Sequence, residues 1–201
     1  MKQMKNIYWA LLLLLCIGCN NVDNPREGDI IFQKAINEQS ELIEHVTGSP
    51  ITHCGIIVMR DNAPYVLHVD RIVTITPLQS FINHGVKSEY TLMRATNKEV
   101  KIDLKKYMLA EYDHLLKFDN KRYYNAELVY EIYKNDLNIE LCQPRSINEY
   151  NIKGLEGTLS ERRIEFDRPI VAPVDLYNSK KLKAYKTQPQ VMKEKSKNNK
   201  K

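Results

Sequence analysis

The stretch that decides the fold is THCGIIVMRDNAPYVLHVDRIVTITPL, which occupies residues 52–78. It contains three runs rich in β-branched and other apolar residues, at Cys54–Met59, Tyr65–Val69 and Ile72–Ile75, with the polar RDNAP between the first two. Short apolar runs bounded by turn residues are typical of strands joined by hairpins. The stretch therefore predicts an antiparallel meander of three strands.

The segments on either side of the meander extend it. Before it, GDIIFQ (residues 28–33) predicts a turn followed by a short strand, and SELIEHV (40–46) has the apolar spacing of a helix. After it, TPLQSFINHG predicts a helix capped by Thr76 with Pro77 in its first position, and EYTLMRA predicts another strand.

Helical patterns dominate the second half of the chain. We expect a helix over residues 103–116 and a second, buried helix in YYNAELVYEIYKND, where Ala126, Val129, Tyr130 and Tyr133 share one face. Residues 141–179 have weak periodicity and predict a loop, a short helix and a closing strand or edge segment. Strands first and helices later indicate an α+β fold.

The first residues have the pattern of an export signal. Lys2 and Lys5 precede an apolar run that ends at Gly18, directly before Cys19, and this run is shorter than the roughly 20 residues that span a bilayer. Small residues before a cysteine resemble a bacterial lipobox, although Cys16 replaces the usual leucine. We predict a lipoprotein signal peptide at 1–18 and lipidation of Cys19; a plain secretory signal or an uncleaved anchor is the alternative. The protein would be exported and lipid-anchored to the cell envelope, in the periplasm or at the cell surface.

Charge and composition divide the rest of the chain. We predict a polar tether at 19–27, one domain at 28–183 and a Lys-rich disordered tail at 184–201. The formal charge is +5, but residues 180–201 hold nine lysines and one glutamate, so residues 19–179 carry about −5. An acidic body and an exported location exclude a nucleic-acid partner. Contact of the tail with anionic envelope polymers is a further interpretation.

Cysteine usage argues against a metal site. Once Cys16 is removed and Cys19 lipidated, Cys54 and Cys142 remain, and they do not have the paired spacing of a zinc site. We predict no metal and no other cofactor. A disulfide between these two residues is conceivable in an oxidising compartment, although Cys54 lies in the middle of a predicted strand.

Six landmarks in fixed order carry a family resemblance. They are GDIIFQ, THCGIIV, YVLHV followed by VTITPLQSF, YDHLLKF, YYNAELVYEIY and VAPVDLYNS. They resemble GDIVFQ, S-H-x-G-I, Y-V-x-E-A with a later TPL, YD…F, YCSELVW and S-P-x-D…S of the YiiX-like proteins (YiiX, YaeF and YebB), circularly permuted relatives of the NlpC-type papain-fold hydrolases. The resemblance implies a permuted papain-like fold, with an antiparallel sheet or small barrel packed against helices.

The resemblance also implies a site for cysteine nucleophilic catalysis. A thiolate at a helix N-terminus is activated by an imidazole, and a third polar group orients that imidazole. His53 matches the family's base, and His68 falls where most relatives carry the orienting glutamate. Alignment through Glu-Leu-Val puts Asn125 at the position of the cysteine and Ala126 at that of the serine. Since an amide cannot be deprotonated near neutral pH, Asn125 cannot replace a thiolate.

Neither remaining thiol is a good substitute. Consecutive strand residues point to opposite faces, so Cys54 faces the core if His53 faces the site. Cys142 lies beyond the presumed nucleophile helix and would require a rearranged site. Asp29 and Gln33 are candidate ligand contacts because the family's cleft borders this segment, and Ala126 and Glu127 are candidates on the helix, although Glu127 could instead cap it.

Two functions follow from these observations. The first is a degenerate member that binds a cell-envelope peptide, glycopeptide or acyl ligand in the former active-site cleft. The second is an active cysteine hydrolase that cleaves amide bonds in peptidoglycan peptides, or N-acyl or ester bonds in lipid-like substrates. A structural lipoprotein without a ligand is a third interpretation, for which no sequence feature speaks.

Overall fold

Eight strands and five helices build the body of the protein in a computed structural model that describes residues 24–188. The predicted signal peptide, most of the tether and residues 189–201 of the tail lie outside the described residues. The strands are β1 Ile30–Gln33, β2 His53–Arg60, β3 Ala63–Val69, β4 Val73–Pro77, β5 Tyr90–Arg94, β6 Arg145–Ser146, β7 Pro169–Ile170 and β8 Lys183–Gln188. The helices are α1 Glu38–Thr47, α2 Leu78–Asn83, α3 Asn125–Glu131, α4 Glu156–Glu161 and α5 Pro173–Tyr177.

The main sheet has six strands in the order β4-β3-β2-β1-β5-β8, and each pairs with its neighbours antiparallel. The predicted α+β class and the antiparallel meander are confirmed. We name the two ends of this sheet after residues that lie there. At the His53 end, β1 finishes at Gln33, β2 begins at His53 and β3 finishes at Val69; at the opposite Asp29 end, Asp29 precedes β1 and Arg94 closes β5.

The two faces of the sheet bury different side chains, as strand alternation requires. One face packs Phe32, Cys54 and Leu67 against α3, whose Leu128 and Val129 are fully buried. After Glu131, α3 continues as a single π-helical turn, Ile132–Asp136. The opposite face packs a second, smaller cluster against α2, and its members include Ile31, Ile57, Val66, Phe81 and Leu92.

The predicted helix at 103–116 is wrong. The structure has one 3₁₀ turn, Leu104–Lys106, followed by irregular chain. The backbone N–H of Leu109 donates to Val73 O, and that of Tyr112 donates to Arg71 O. The segment therefore lies along the start of β4, and its backbone N–H groups bond to that region. These tertiary contacts override its helical pattern.

The predicted helix cap at Thr76 is also wrong. Strand β4 extends to Pro77, which occupies the N-cap of α2 without a side-chain hydrogen bond. The Thr76 hydroxyl lies 2.9 Å from His68 Nε2 instead. Thr76 is not a cap because β4 continues to pair with β3 for two residues beyond Ile75, where the apolar run ends.

The ordered body is longer than the predicted domain at both ends. Residues 184–188, assigned above to the tail, belong to β8 and pair with β5. Within the predicted tether, the Glu27 carboxylate accepts hydrogen bonds from the backbone N–H of Met59 and of Ile102. Over residues 24–188, no helix has the length and apolar character needed to cross a bilayer.

Candidate active site

His53 is the first residue of β2 and lies opposite Gln33 of β1. Its ring stacks on Phe81 of α2 at a centroid distance of 5.2 Å and meets the ring of His68 edge-on at 5.5 Å. Burial, with a smaller contribution from His68, lowers the pKa of His53 to about 3. At neutral pH this imidazole is uncharged, and its burial makes it a weaker proton acceptor than an exposed histidine.

His68 lies on the same sheet face, one residue before the end of β3. Its Nε2 is 2.9 Å from the Thr76 hydroxyl and its ring contacts Phe81 at 5.0 Å. Among residues 24–188, no group forms a hydrogen bond with its buried Nδ1. Burial is the largest influence and lowers the pKa of His68 to about 4, although Asp70 acts in the opposite direction. The site thus holds two neutral imidazoles side by side.

Gly55 is the reason the two imidazoles can meet. It lies on the same face of β2 as His53, two residues further along the strand. A β-carbon there would lie 2.5 Å from Val66 Cγ1 and 3.1 Å from His68 Cβ. A side chain at this position would push β3 and its histidine away, which explains the glycine in THCGI.

Asn125 begins α3 and reaches the His53 end of the sheet. Its side-chain Oδ1 accepts a hydrogen bond of 2.9 Å from the backbone N–H of Val69, the neighbour of His68. Within residues 24–188, no hydrogen bond joins Asn125 to either histidine. The side chain at the presumed nucleophile position is therefore held by the backbone of β3.

The residues after Asn125 stabilise the helix. Ala126 is 1% exposed in the main core cluster. The Glu127 carboxylate accepts a hydrogen bond from the backbone N–H of Tyr124, the N-cap residue, at 3.2 Å. Burial raises the pKa of Glu127 to about 9, so this carboxyl is protonated at neutral pH. Glu127 therefore caps its own helix, which is one of the two roles that the sequence left open for it.

Neither free thiol lies in reach of the histidines. Cys54 is fully buried on the face that packs against α3, as the alternation from His53 predicted, and burial raises the pKa of its thiol strongly. Cys142 packs at the edge of the same core, and burial raises its pKa to about 12. Both thiols stay protonated at neutral pH, whereas nucleophilic cysteines are thiolates.

The two candidate ligand contacts of β1 lie at opposite ends of the sheet. Gln33 is at the His53 end, 3% exposed, and its Nε2 donates to Phe81 O, which ties α2 to the sheet. Asp29 is 1% exposed at the other end, where it forms an ion pair with Arg94 and accepts a hydrogen bond from Tyr185 OH. The structure brings Gln33, but not Asp29, together with the histidines.

Two neighbours of the histidines were missed by sequence reasoning. Phe81 contacts both imidazole rings, and Thr76 bonds one of them. In the sequence, Phe81 reads as an ordinary apolar helix residue and Thr76 as a cap. The family motif VTITPLQSF contains both residues, but nothing in its pattern assigns them a contact with a histidine.

The fold and the site define a class of protein. Histidines on adjacent strands of an antiparallel sheet, and a helix whose first residue bonds to the end of one of these strands, agree with the permuted papain-like domain that the resemblance implies. A family described as permuted papain-like amidase enzymes, YaeF/YiiX, C92 family, matches residues 24–185. The chain belongs to this family.

YiiX itself is a similar protein. Uncharacterized protein YiiX of Escherichia coli strain K12 is 28% identical over 191 residues, which cover 89% of this chain and 94% of YiiX. The crystal structure of metalloprotein yiiX from Escherichia coli O157:H7 matches with a TM-score of 0.73 at 28% identity, over 82% of this chain and 98% of that one. The predicted resemblance to the YiiX-like proteins and the predicted fold are confirmed.

That relative is described as a metalloprotein, but the side chains near His53 and His68 do not form a metal site with three or more protein ligands. Within residues 24–188, no group of three or more His, Cys, Asp or Glu side chains is arranged to hold a metal ion. His53 and His68 are adjacent, but Thr76 occupies the space at His68 Nε2.

Proposed function

We propose that this chain is a lipid-anchored protein of the bacterial cell envelope whose permuted papain-like domain binds a ligand without cleaving it. The ligand is a peptide, a glycopeptide or an acyl compound, held at the His53 end of the sheet. One observation carries the proposal: the position of the family's nucleophile is occupied by Asn125, whose Oδ1 is bonded to Val69 N–H.

The chemistry of the site supports a binding role. Acyl transfer by this fold requires a nucleophile that an imidazole can deprotonate, and an amide nitrogen does not lose a proton near neutral pH. The two protonated thiols are separated from the histidines by the sheet or by the core. What persists is a pair of neutral imidazoles that can exchange hydrogen bonds with a ligand.

An active cysteine hydrolase is the second candidate, and one observation favours it. His53 and His68 lie on adjacent strands with their ring centroids 5.5 Å apart, and glycine at position 55 lets these strands approach without a clash. The family resemblance assigns such a pair the roles of general base and orienting partner. In that case a thiol must approach His53 through a rearrangement of the helix or of the segment around Cys142.

Restoring the nucleophile tests the proposal. We expect purified parent protein to be inert toward a cysteine-directed activity probe and toward peptidoglycan-peptide and N-acyl amide substrates. We expect Asn125→Cys to react with the probe and to lose that reactivity when His53→Ala is added. Ala126→Ser should be added only in a second variant, because Ala126 is buried in the core and a new hydroxyl there costs stability.

Two controls make the outcome decisive. The Asn125→Ser variant carries a side chain close in size to that of Asn125→Cys but without the thiol, so it should remain inert. If the parent cleaves a substrate and Cys142→Ser abolishes this activity, the protein is an enzyme and the binding proposal is wrong. If the Asn125→Cys variant reacts equally well with and without His53, the imidazole does not activate a thiol at position 125.

The anchor needs a separate experiment. Cells that express the full chain should incorporate labelled fatty acid into the protein, which should then fractionate with membranes. The Cys19→Ala variant should incorporate none. Incorporation that persists in this variant would contradict lipidation at Cys19.

A further inference from the structure

The side-chain amide of Asn125 is fixed in one orientation. Its Oδ1 accepts the hydrogen bond of 2.9 Å from the backbone N–H of Val69, and the amide nitrogen could not take the place of that oxygen because it only donates. Nδ2 therefore occupies the branch of the amide that faces away from this N–H. Among residues 24–188, no group accepts a hydrogen bond from Nδ2. The amide thus carries two N–H donors that the described body does not use.

Buried neighbours hold Asn125 in place. Tyr124, the residue before it, donates its backbone N–H to the Glu127 carboxylate, and its hydroxyl accepts a hydrogen bond of 3.0 Å from the N–H of Val171. Ala126, the residue after it, is 1% exposed. Asn125 itself is only half-buried, and its Nδ2 is not among the polar atoms that are buried without a partner. The two donors are therefore both well positioned and open to solvent.

The amide lies at the ends of the two strands that carry the imidazoles. Val69, to which it is bonded, follows His68 directly and is the last residue of β3. By the register of β2 and β3, Val69 comes level with the second residue of β2, whose first residue is His53. A ligand group bonded to Nδ2 therefore lies at the His53 end of the sheet.

The bond to Val69 does not by itself require an asparagine. An aspartate at position 125 would accept the same hydrogen bond through a carboxylate oxygen. Its negative charge at the first residue of α3 would also be favourable, because anions are stabilised near helix N-termini. What asparagine has and aspartate lacks is the pair of N–H donors. Two unused donors on a well-positioned side chain that is open to solvent favour contact with a ligand that presents an acceptor oxygen.

The charges at this end favour an uncharged acceptor. Both imidazoles are neutral near pH 7, because burial lowers the pKa of His53 and of His68. Asp70 follows Val69, and its negative charge raises the pKa of His68 against the larger effect of burial. Arg71, one residue further, has no comparable influence on either imidazole. A carboxylate or phosphate at this position would therefore be repelled by Asp70, whereas an amide carbonyl would not.

We propose that Asn125 is a ligand-binding residue whose Nδ2 donates a hydrogen bond to an amide carbonyl oxygen of an uncharged ligand at the His53 end. This inference rests on the proposed function and names the contact through which the same site holds its ligand. An amide carbonyl is common to peptides, glycopeptides and acyl amides. The residue that removes the nucleophile thereby supplies a contact to the bond that is left uncleaved.

The test begins with calorimetric titration of the purified parent protein with two uncharged probes. N-acetyl-trialanine methylamide represents a peptide, and N-methyloctanamide represents an acyl amide. We expect saturable binding of at least one probe, and the probe that binds identifies the source of the carbonyl. Its counterpart with sulfur in place of the carbonyl oxygens should bind about fivefold more weakly, because sulfur is a weaker acceptor and one neutral hydrogen bond is affected.

The Asn125→Asp variant separates recognition from a structural role. It keeps an acceptor for the N–H of Val69 and removes both donors, so affinity for the probe should fall about tenfold or more. The difference between the probe and its sulfur counterpart should disappear in this variant. The melting temperature should stay unchanged or rise, since the new charge lies at the start of α3. A residue that only holds β3 would give unchanged binding.

Asn37→Asp is the matched control. Asn37 is the N-cap of α1, and its Oδ1 accepts a hydrogen bond of 2.8 Å from the backbone N–H of Ser40. Since α1 connects β1 to β2, this variant adds the same negative charge in the connection at the His53 end and also keeps an acceptor for a backbone N–H. We expect its affinity for the probe to stay within about twofold of the parent, as a single neutral hydrogen bond would be worth more than that.

Four results would overturn the inference: neither probe binds, Asn125→Asp binds as tightly as the parent, the sulfur counterpart binds the parent equally well, or octanoate binds more tightly than N-methyloctanamide. The last result would show that the site prefers an anion. Each is distinct from failure of the proposed function, which is judged by turnover in the parent protein. A parent that cleaves the probe would refute the non-catalytic role, while the affinity of Asn125→Asp would still report on the carbonyl contact.

Discussion

Arg94→Met should destabilise the protein more than other single changes outside the core. The Asp29 carboxylate is 1% exposed and receives bonds of 2.7 Å from both Nε and Nη2 of Arg94. It also accepts a hydrogen bond from Tyr185 OH at 2.6 Å and one from the backbone N–H of Arg26 at 2.8 Å. The guanidinium lies over the Tyr185 ring at 4.4 Å, so one cluster joins β1, β5 and β8.

The magnitude follows from the burial of the carboxylate. Removal of one partner from a buried, hydrogen-bonded ion pair costs about 3–5 kcal/mol, because the other charge stays buried without compensation. For a domain of this size, each kcal/mol lowers the melting temperature by about 2–4 °C. We therefore expect Arg94→Met to melt about 10 °C or more below the parent.

Thermal unfolding followed by circular dichroism measures this loss. Arg122→Met is the matched control, because its partner is Glu111 and both side chains are about half exposed or more; such a pair is worth about 1 kcal/mol or less. Arg94→Met combined with Asp29→Asn should recover part of the loss, since no unpaired charge then remains. A melting temperature of Arg94→Met within about 2 °C of the parent would refute this reasoning and reopen a ligand-binding role for Asp29.

Three further predictions concern the site. Gly55→Ala should destabilise the protein by about 1–3 kcal/mol in urea unfolding, since its β-carbon would lie 2.5 Å from Val66 Cγ1 and 2.8 Å from Leu67 O; an unchanged midpoint would contradict the close approach. Because the pKa of Glu127 is raised to about 9 in the native state, the native protein retains a proton that the unfolded chain loses, so the free energy of unfolding should fall as pH rises from 5 to 9; Glu127→Gln should flatten this slope, and an identical slope in both proteins would exclude a buried neutral carboxyl. The pKa values of His53 and His68 are lowered to about 3 and about 4, which has the opposite effect on stability. Between about pH 6.5 and 4 only the unfolded chain binds these protons, so the free energy of unfolding should fall on acidification. Urea titrations at pH 4, 5 and 7 should show a smaller fall in the His53→Gln, His68→Gln double variant.

The strands were predictable because their signals are local. Short apolar runs bounded by turn residues indicate β1 to β5. The alternation of side chains from His53 also assigned Cys54 to the core. Strand β8 was assigned to the tail because KAYKTQ is polar and Lys-rich, and an edge strand can be so. The hydroxyl of Tyr185 in this strand bonds to Asp29, which lies 156 positions earlier in the chain, so no local pattern could predict the contact.

The site was only partly predictable for a similar reason. Motifs identify His53, His68 and Asn125, because the chemistry of the family depends on these residue types. Contacts made by Phe81 and Thr76 depend on where α2 returns over the sheet, and periodicity carries no information about that path. Likewise, the hydrogen bond from Val69 N–H to Asn125 depends on how far α3 extends past the end of β3.

The chain enters the sheet at one end and leaves it at the other. A fusion or surface linkage placed before Asn24 would hold the molecule by the Asp29 end and leave the histidines facing solution. A bulky fusion after Gln188 would lie at the same end of the sheet as His53, three strands away from it. Capture experiments should therefore immobilise the protein through its N-terminus, and binding that is lost only in a C-terminal fusion would indicate steric obstruction of the site, with the fold intact.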